Sequence, residues 1–482
     1  MKTMNANVTL PIEESLKNSM VKVYTVYDKP DYYRPWQMQG QASNGGSGCI
    51  IEGQRILTNA HVVADHTFIQ AERAGRAGKQ IARVENVAHE CDLAILKVDD
   101  DSFFAGSQPV ALGSLPEVKD KIAVYGFPMG GTKLAITEGV VSRVENLTYS
   151  HSFASLLCCQ IDAPINPGSS GGPVVKDGKI VGVAFQGSEE GQNIGYMVPA
   201  PLVARFLSEI EKGGYGGIPT LGIAFQKMEN PALRRRYHMG EEDSGVLVCK
   251  VDPRSPAKGI LEPGDVILAV DGFDVANDGT VEFRKGERTI FFYALQRHFL
   301  TDAISMDVLR GKDRRTVDVA LTLRWEDSHL VPRPQYEKMP TYYIIGGLVF
   351  SPITSNLLLA WHDIEEAPRK LARYYYEDPD PDRDEVVTLI QVLSHEVNVG
   401  YDYLYYTVIE SVNGKEIRGM RDLVETFEGH TGDYHTIVNE DGARIVLSRK
   451  DVEKGNEEIL RRYRIPSDRS EDLRNLAAGR GA

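Results

Sequence analysis

Cysteine is scarce in this chain: five residues in 482, at Cys49, Cys91, Cys158, Cys159 and Cys249. The count is odd, two are adjacent, and no C-x-x-C spacing occurs. A disulfide framework and a zinc-type ligand set are therefore excluded, and a reducing compartment is favoured. An excess of basic residues is also missing. Lys and Arg number 54 against 68 Asp and Glu, which leaves a net charge of −14 and a pI near 5.4. That excludes a nucleic-acid binder working through a basic face. No GxxxxGK[ST] loop is present, so nothing supports internal ATP-driven unfolding. The first residues, MKTMNANVTLPIEESLKN, lack the apolar core of a secretory signal. The expected location is the cytoplasm or another soluble phase, although an exported mature form would look the same. Long apolar runs are missing too. Residues 339–361 carry no formal charge and could span a bilayer by length. Ser351, Pro352, Thr354, Ser355, Asn356 and a Gly-Gly pair break them up, so they read as strand, turn and helix start and no integral membrane segment is expected.

What is present is ordinary globular composition, 42% hydrophobic and 25% charged. The length suggests roughly three domains at about 150 residues each. Residues 15–212 hold many short β-type runs punctuated by Gly and Pro, among them MVKVYTVY (20–27), RILTNAHVV (55–63), DLAILKV (92–98), KIAVYGF (121–127) and KIVGVAFQG (179–187). Such spacing suggests a barrel or sandwich, and the region is long enough for two small barrels. PAPLVARFLSEIEK (199–212) has helical apolar spacing and reads as a closing helix. Gly213 to Gly217 then reads as a hinge.

Beyond it the chain partly repeats. EPGDVILAVDGFDV (262–275) and LYYTVIESVNGKEI (404–417) each show an apolar strand, a Val-Asp-Gly or Val-Asn-Gly turn and a second strand, which is a hairpin signal. An apolar Gly-containing strand precedes each, LGIAF (221–225) and YIIGGLVF (343–350). The expected division is 15–212, 218–325, 330–465 and a polar tail at 466–482 that is free to move.

Three segments carry chemistry. LTNAHVV (57–63) holds His61, HECDLAILKV (89–98) holds Asp92, and INPGSSGGPVV (165–175) holds Ser170. A serine hydroxyl is a weak nucleophile and needs an adjacent base. A histidine can take its proton near neutral pH, and a carboxylate can fix the imidazole tautomer. The Gly-rich turn can aim N–H groups at a developing oxyanion. Singly, a histidine is usually structural, an aspartate before an apolar run a turn residue, and a Gly-Ser-Ser-Gly-Gly run a loop. Together, in the order His, Asp, Ser inside one β-rich region, they point to acyl transfer. The same Gly168–Gly172 run fits G-x-S-x-G, but an α/β-hydrolase elbow needs a following helix and a later histidine. Here Pro173 and a β-type run follow. A cysteine hydrolase using Cys91 or Cys158 is a poor third reading, because such thiols are usually buried and structural.

On the segments SGCIIEGQRILTNAHVV, DLAILKV, LGS (112–114), VYGFPMGG (124–131), ITEGVVS (136–142), QIDAPINPGSSGGPVV (160–175) and NIGYMVPA (193–200), the chain resembles the HtrA/Deg family of serine proteases. ENPALR (229–234), EVNVGYD (396–402) and YRIPSDRSEDL (463–473) resemble its plant-type Deg branch. The resemblance covers the chain from about residue 15. It implies a mainly β protein, with a chymotrypsin-like double β-barrel followed by two α+β PDZ-like domains. It implies His61 as base, Asp92 as its orienting carboxylate, Ser170 as nucleophile, and Gly168, Ser169 and Ser170 as the oxyanion hole. Ile165, Ala184, Phe185 and Gln186 match positions lining the specificity pocket, where a preference for small or medium apolar side chains is expected. Leu221, Gly222, Ile223, Ala224 and Phe225 match a PDZ peptide-binding loop and strand. The implied activity is ATP-independent endoproteolysis of unfolded or damaged proteins, with no cofactor and no metal. The alternative is a PDZ scaffold or holdase with a silent protease domain. A homo-oligomer is implied, a trimer or hexamer, with Tyr32, Tyr33 and Trp36 as candidate contacts.

Overall fold

The computed structural model describes residues 12–129, 131, 133–187 and 194–474. Their contacts divide into two units: residues 12–27, 41–251 and 259–325 in one, and residues 28–40, 252–258 and 326–474 in the other.

The first unit opens with two closed barrels. Strands β1 (Met20–Tyr27), β2 (Ala42–Ile51), β3 (Arg55–Thr58), β4 (His66–Arg73), β5 (Gln80–Ala88) and β6 (Leu93–Val98) close in the order β1-β2-β3-β6-β5-β4. Alternation along these strands feeds two cores, because successive side chains leave opposite faces. Ile50, Ile56 and Leu96 fill the first barrel. Their chain neighbours Cys49, Ile51, Leu57 and Ile95 join a core shared with the second. That second barrel comprises β7 (Lys121–Gly126), β8 (Ala135–Thr148), β9 (Ser155–Ile161), β10 (Pro173–Lys176), β11 (Lys179–Gly187) and β12 (Gly195–Pro199), in the order β10-β11-β12-β9-β8-β7. The expected closing helix runs Ala200–Glu211 and buries Leu202, Val203 and Phe206.

The glycine-rich stretch after it, expected as a hinge, is tied down. Arg205 and Glu209 are nearly inaccessible and bridge each other at 3.0 Å. Arg205 donates to the Gly217 carbonyl, and Gly216 N–H donates to Glu209. Buried polar groups are retained only where such partners exist.

The chain then enters β13 (Pro219–Thr220) and β14 (Ile223–Lys227), followed by β15 (Val246–Val251), β16 (Val266–Val270), β17 (Phe273–Asp274), β18 (Thr280–Arg284), β19 (Glu287–Ile290), β20 (Ala303–Arg310), β21 (Asp313–Ala320) and β22 (Leu323–Arg324). The main sheet runs β14-β15-β16-β20-β21, with β17 beside β16, and β14 lies at its edge. The β16–β17 turn places Asp271 at φ 51 and Gly272 at φ 77, the left-handed pair that a two-residue hairpin needs. Residues 284–298 pack on the second barrel. Gln296 accepts from Leu157 N–H, and Thr289 accepts from Asn146 N–H.

The second unit holds β23 (Tyr343–Ile345), β24 (Leu348–Pro352), β25 (Val387–Val392), β26 (Thr407–Val412), β27 (Lys415–Glu416), β28 (Tyr434–Asn439) and β29 (Arg444–Ser448) in one sheet. Its core gathers Tyr343, Leu348, Phe350, Leu389, Leu423, Phe427 and Ile437. Asn413 and Gly414 again supply the left-handed turn. The uncharged stretch around residue 350 forms the β23–β24 hairpin and a short helix. No helix among the described residues is long and apolar enough to cross a membrane.

One expectation changes in this unit. The tail from Pro466 is ordered as far as it is described: Ile344 N–H donates to the Asp468 carbonyl, Arg469 bridges Tyr343, and Leu473 is buried. Tyr32, Tyr33 and Trp36 lie in the loop joining β1 to β2, and that loop packs within this unit. Tyr33 meets Trp361 edge-on at 5.3 Å, and Trp36 meets Tyr342 at 6.0 Å. A single sequence gives no sign of this, because the partners lie some 300 residues away.

Candidate active site

His61 sits on a four-residue helical turn, Ala60–Val63, that follows β3. The turn is anchored because Ala60, Val62 and Val63 are buried, which leaves the imidazole as its one half-buried side chain. Asp92 ends the turn leading into β6 and is fully buried at φ 54. Aspartate tolerates that left-handed conformation better than most residues. The two meet by two bonds. His61 N–H donates to Asp92 Oδ1 at 2.8 Å, and His61 Nδ1 lies 2.7 Å from Oδ2. The second bond puts the proton on Nδ1 and leaves Nε2 free to accept. Asn59 Nδ2 donates to the Asp92 carbonyl at 2.7 Å and fixes the turn from the other side.

The electrostatics follow from this geometry. Burial works against a charged imidazole, but the Asp92 charge and hydrogen bond outweigh it and raise the proton affinity of His61 above its ordinary value. Burial likewise acts to raise the Asp92 carboxyl, and His61 more than offsets it, so Asp92 stays ionised below the usual carboxylate range.

Ser170 lies in the turn between β9 and β10. Gly168 and Gly171 adopt φ 93 and φ 84 there. A side chain at 171 would collide with the Ser47 carbonyl and the Thr58 hydroxyl, so glycine is required on both counts. Ser47 of β2 clamps this turn across the two barrels. Its N–H donates to the Ser170 carbonyl at 2.8 Å, and its hydroxyl donates to the Gly168 carbonyl at 2.7 Å. Thr58 donates to the Ser47 carbonyl at 2.7 Å, which joins the same clamp to the segment carrying His61. The Ser170 hydroxyl donates to the Phe185 carbonyl at 3.2 Å. Ser169 N–H is taken by the Asn166 carbonyl at 2.9 Å.

The remaining sequence candidates fall as follows. Ile165 is half-buried against Gly195, where a Cβ would come within 2.8 Å of its side chain. Ala184 and Phe185 bury their side chains, Phe185 stacks on Tyr149 at 4.5 Å, and their backbone groups bond to the turn at Ser170–Gly172. Gln186 is partly exposed and accepts from Ser150 at 2.7 Å. Leu221 is buried, Gly222 is left-handed at φ 59, and Ile223, Ala224 and Phe225 lie on edge strand β14. In the second unit the corresponding strand, β24, is paired on both sides, by β23 and β25.

Sequence reasoning missed Ser47, Asn59, and the His89–His151 pair, whose Nδ1 and Nε2 lie 2.8 Å apart beside His61. Ser47, Asn59 and His89 lie within the quoted segments, but no local pattern assigns them a role. The cysteine alternative is corrected: Cys91 and Cys158 are 2% and 1% exposed, and burial pushes both thiols up, away from the nucleophilic thiolate.

A trypsin-like peptidase domain model matches residues 46–183, and PDZ domain models match 219–321 and 331–472. Protease Do-like 2, chloroplastic, of Arabidopsis thaliana is 39% identical over 465 residues, covering 96% of this chain and 76% of that protein. Protease Do-like 4, mitochondrial, of the same plant is 38% identical over 467 residues, covering 96% and 86%. Among solved structures, HtrA-type protease AlgW with decapeptide matches at TM-score 0.50 and 25% identity over 65% of this chain and 99% of that chain. Relatives named as proteases do not favour the scaffold reading. The chain belongs to the Do-like (HtrA/Deg) family of serine endopeptidases, with a trypsin-like protease domain followed by two PDZ domains.

Proposed function

We propose that Ser170 is the nucleophile of this protease, His61 its general base and Asp92 the carboxylate that orients His61. The observation that supports this most is the doubly bonded Asp92–His61 pair, whose segment is tied through Thr58 and Ser47 to the serine turn. In this reading the Ser170 hydroxyl leaves the Phe185 carbonyl and gives its proton to His61 Nε2. Its oxygen attacks the scissile carbonyl carbon, and the oxyanion takes N–H donors from the turn. Gly168 and Ser170 are its donors, since Ser169 N–H already serves Asn166. The imidazolium then gives the proton to the leaving amine, and water repeats the sequence on the acyl-enzyme.

Ile165 shapes the pocket for the residue before the scissile bond, while Phe185 and Gln186 supply backbone to an extended substrate. Domain limits at 15–212, 218–325 and 330–465 fit this division of labour. The first PDZ domain takes a peptide as an added strand on the open edge of β14, at Leu221–Phe225. Unfolded or damaged proteins are the substrates, since only extended chain fits both the cleft and that edge. The working form is a homo-oligomer, a trimer or hexamer, which light scattering would size. The relatives' names place those proteins in chloroplasts and mitochondria, so a cytoplasmic location draws no support from them. The test is casein cleavage. Ser170→Ala abolishes it with the fold intact if the assignment is right, and retained cleavage overturns it.

A further inference from the structure

Glu90 stands two residues before Asp92 and is 5% exposed. A carboxylate in such a place needs strong partners. Its Oε2 accepts from the Tyr215 hydroxyl at 2.8 Å and from Ile218 N–H at 2.9 Å. Both donors belong to the short segment between the protease domain and the first PDZ domain. Gly217 passes close enough that a Cβ there would lie 3.3 Å from the same oxygen. The Glu90 backbone is held from another direction: the Ser152 hydroxyl, on the loop between β8 and β9, donates to its carbonyl at 2.8 Å. Two other parts of the chain therefore converge on Glu90, two residues before Asp92. The far end of the connecting segment is fixed as well. Trp325 N–H donates to the Ile218 carbonyl at 2.7 Å, and β13 pairs with β22, so Ile218 is the point where the PDZ domain begins.

We propose that Glu90 is a positioning residue for Asp92, its carboxylate held by Tyr215 and Ile218 of the interdomain segment and its carbonyl by Ser152. Glu90 touches neither substrate nor Ser170, and acts by fixing the turn on which Asp92 meets His61. Loss of one donor leaves a buried carboxylate under-satisfied, and the turn moves to recover a partner. The assignment rests on the triad proposed above.

The experiment compares the full chain with Tyr215→Phe, which removes one hydroxyl, and with Ser152→Ala, which releases the Glu90 carbonyl from the opposite side. Cleavage of a short fluorogenic peptide, too short to engage a PDZ domain, gives kcat and KM. Loss of one buried hydrogen bond, to the Glu90 carboxylate in Tyr215→Phe or to its carbonyl in Ser152→Ala, predicts a kcat lower by about tenfold, with KM within about twofold. Fluorophosphonate labelling of Ser170 slows in parallel. A kcat within about twofold of wild type in both folded variants, or a change confined to KM, overturns the proposal. If Tyr215→Phe does not fold, Ser152→Ala decides alone by the same criteria. Wild-type protein that neither cleaves the peptide nor takes the label would count instead against the triad itself.

Discussion

Replacing Asp92 by Asn keeps the shape of the side chain and removes its charge. The consequence can be worked from the two bonds it makes. Oδ1 faces the His61 backbone N–H and Oδ2 faces His61 Nδ1, at 2.8 and 2.7 Å. An amide has one acceptor oxygen and one donor nitrogen, so one of these bonds is lost in either orientation. With the oxygen kept on the backbone, the NH2 group faces Nδ1. The ring must then accept there and carry its proton on Nε2, the nitrogen that should accept from Ser170. With the oxygen turned to Nδ1, a donor meets the backbone N–H inside a fully buried site. The first orientation costs less, and it is the wrong tautomer for catalysis. In a Ser-His-Asp enzyme that error lowers kcat by about 10⁴-fold, which is about 5 kcal/mol in the barrier. The assay is kcat on a fluorogenic peptide, with a urea titration beside it to show that the variant is folded. A loss smaller than about tenfold in a folded Asp92→Asn protein would refute the reasoning, because His61 would then find its tautomer without Asp92.

Three further outcomes follow from the same geometry. His61 must be neutral to act as a base, and its proton affinity is raised above 6.5. Activity therefore falls as pH drops through a midpoint above 6.5, and a kcat/KM profile with its acidic midpoint at or below that value would contradict the pairing. Gly171→Ala combines φ 84 with a collision against Ser47 and Thr58, and costs about 3 kcal/mol or more of stability; an unchanged urea midpoint would show that the turn is not built as described. Ile165→Ala empties the space beside Gly195, so cleavage of a peptide library shifts toward larger apolar residues before the scissile bond, whereas an unaltered profile would remove Ile165 from the pocket.

Much of the proposed site was legible in the sequence because its three residues lie in short segments whose local character is strong. His61 follows a buried strand, Asp92 precedes one, and Ser170 sits among glycines that no helix or strand interior would favour. The Val-Asp-Gly and Val-Asn-Gly turns were legible for a similar reason, since left-handed φ at two successive positions selects those residues. What stayed hidden depends on pairings distant in sequence. Ser47 looks like one polar residue in a glycine-rich strand, yet it clamps a turn more than 120 residues away. Glu90 looks like a turn residue and proves to be a buried acceptor for the interdomain segment. The glycines at 213–217 signalled freedom, but Arg205 and Glu209, which helical periodicity leaves as ordinary polar positions, fasten that stretch from below. The ordered residues after Pro466 were misread for the same reason.

The most direct test of the account is covalent. Full-length protein is treated with a fluorophosphonate probe in the presence of unfolded casein, and the modified residue is located by peptide mass analysis. The account predicts a single adduct on Ser170 that is absent from Ser170→Ala and strongly slowed in His61→Ala. An adduct on another residue, or labelling of Ser170 at an undiminished rate without His61, would contradict it.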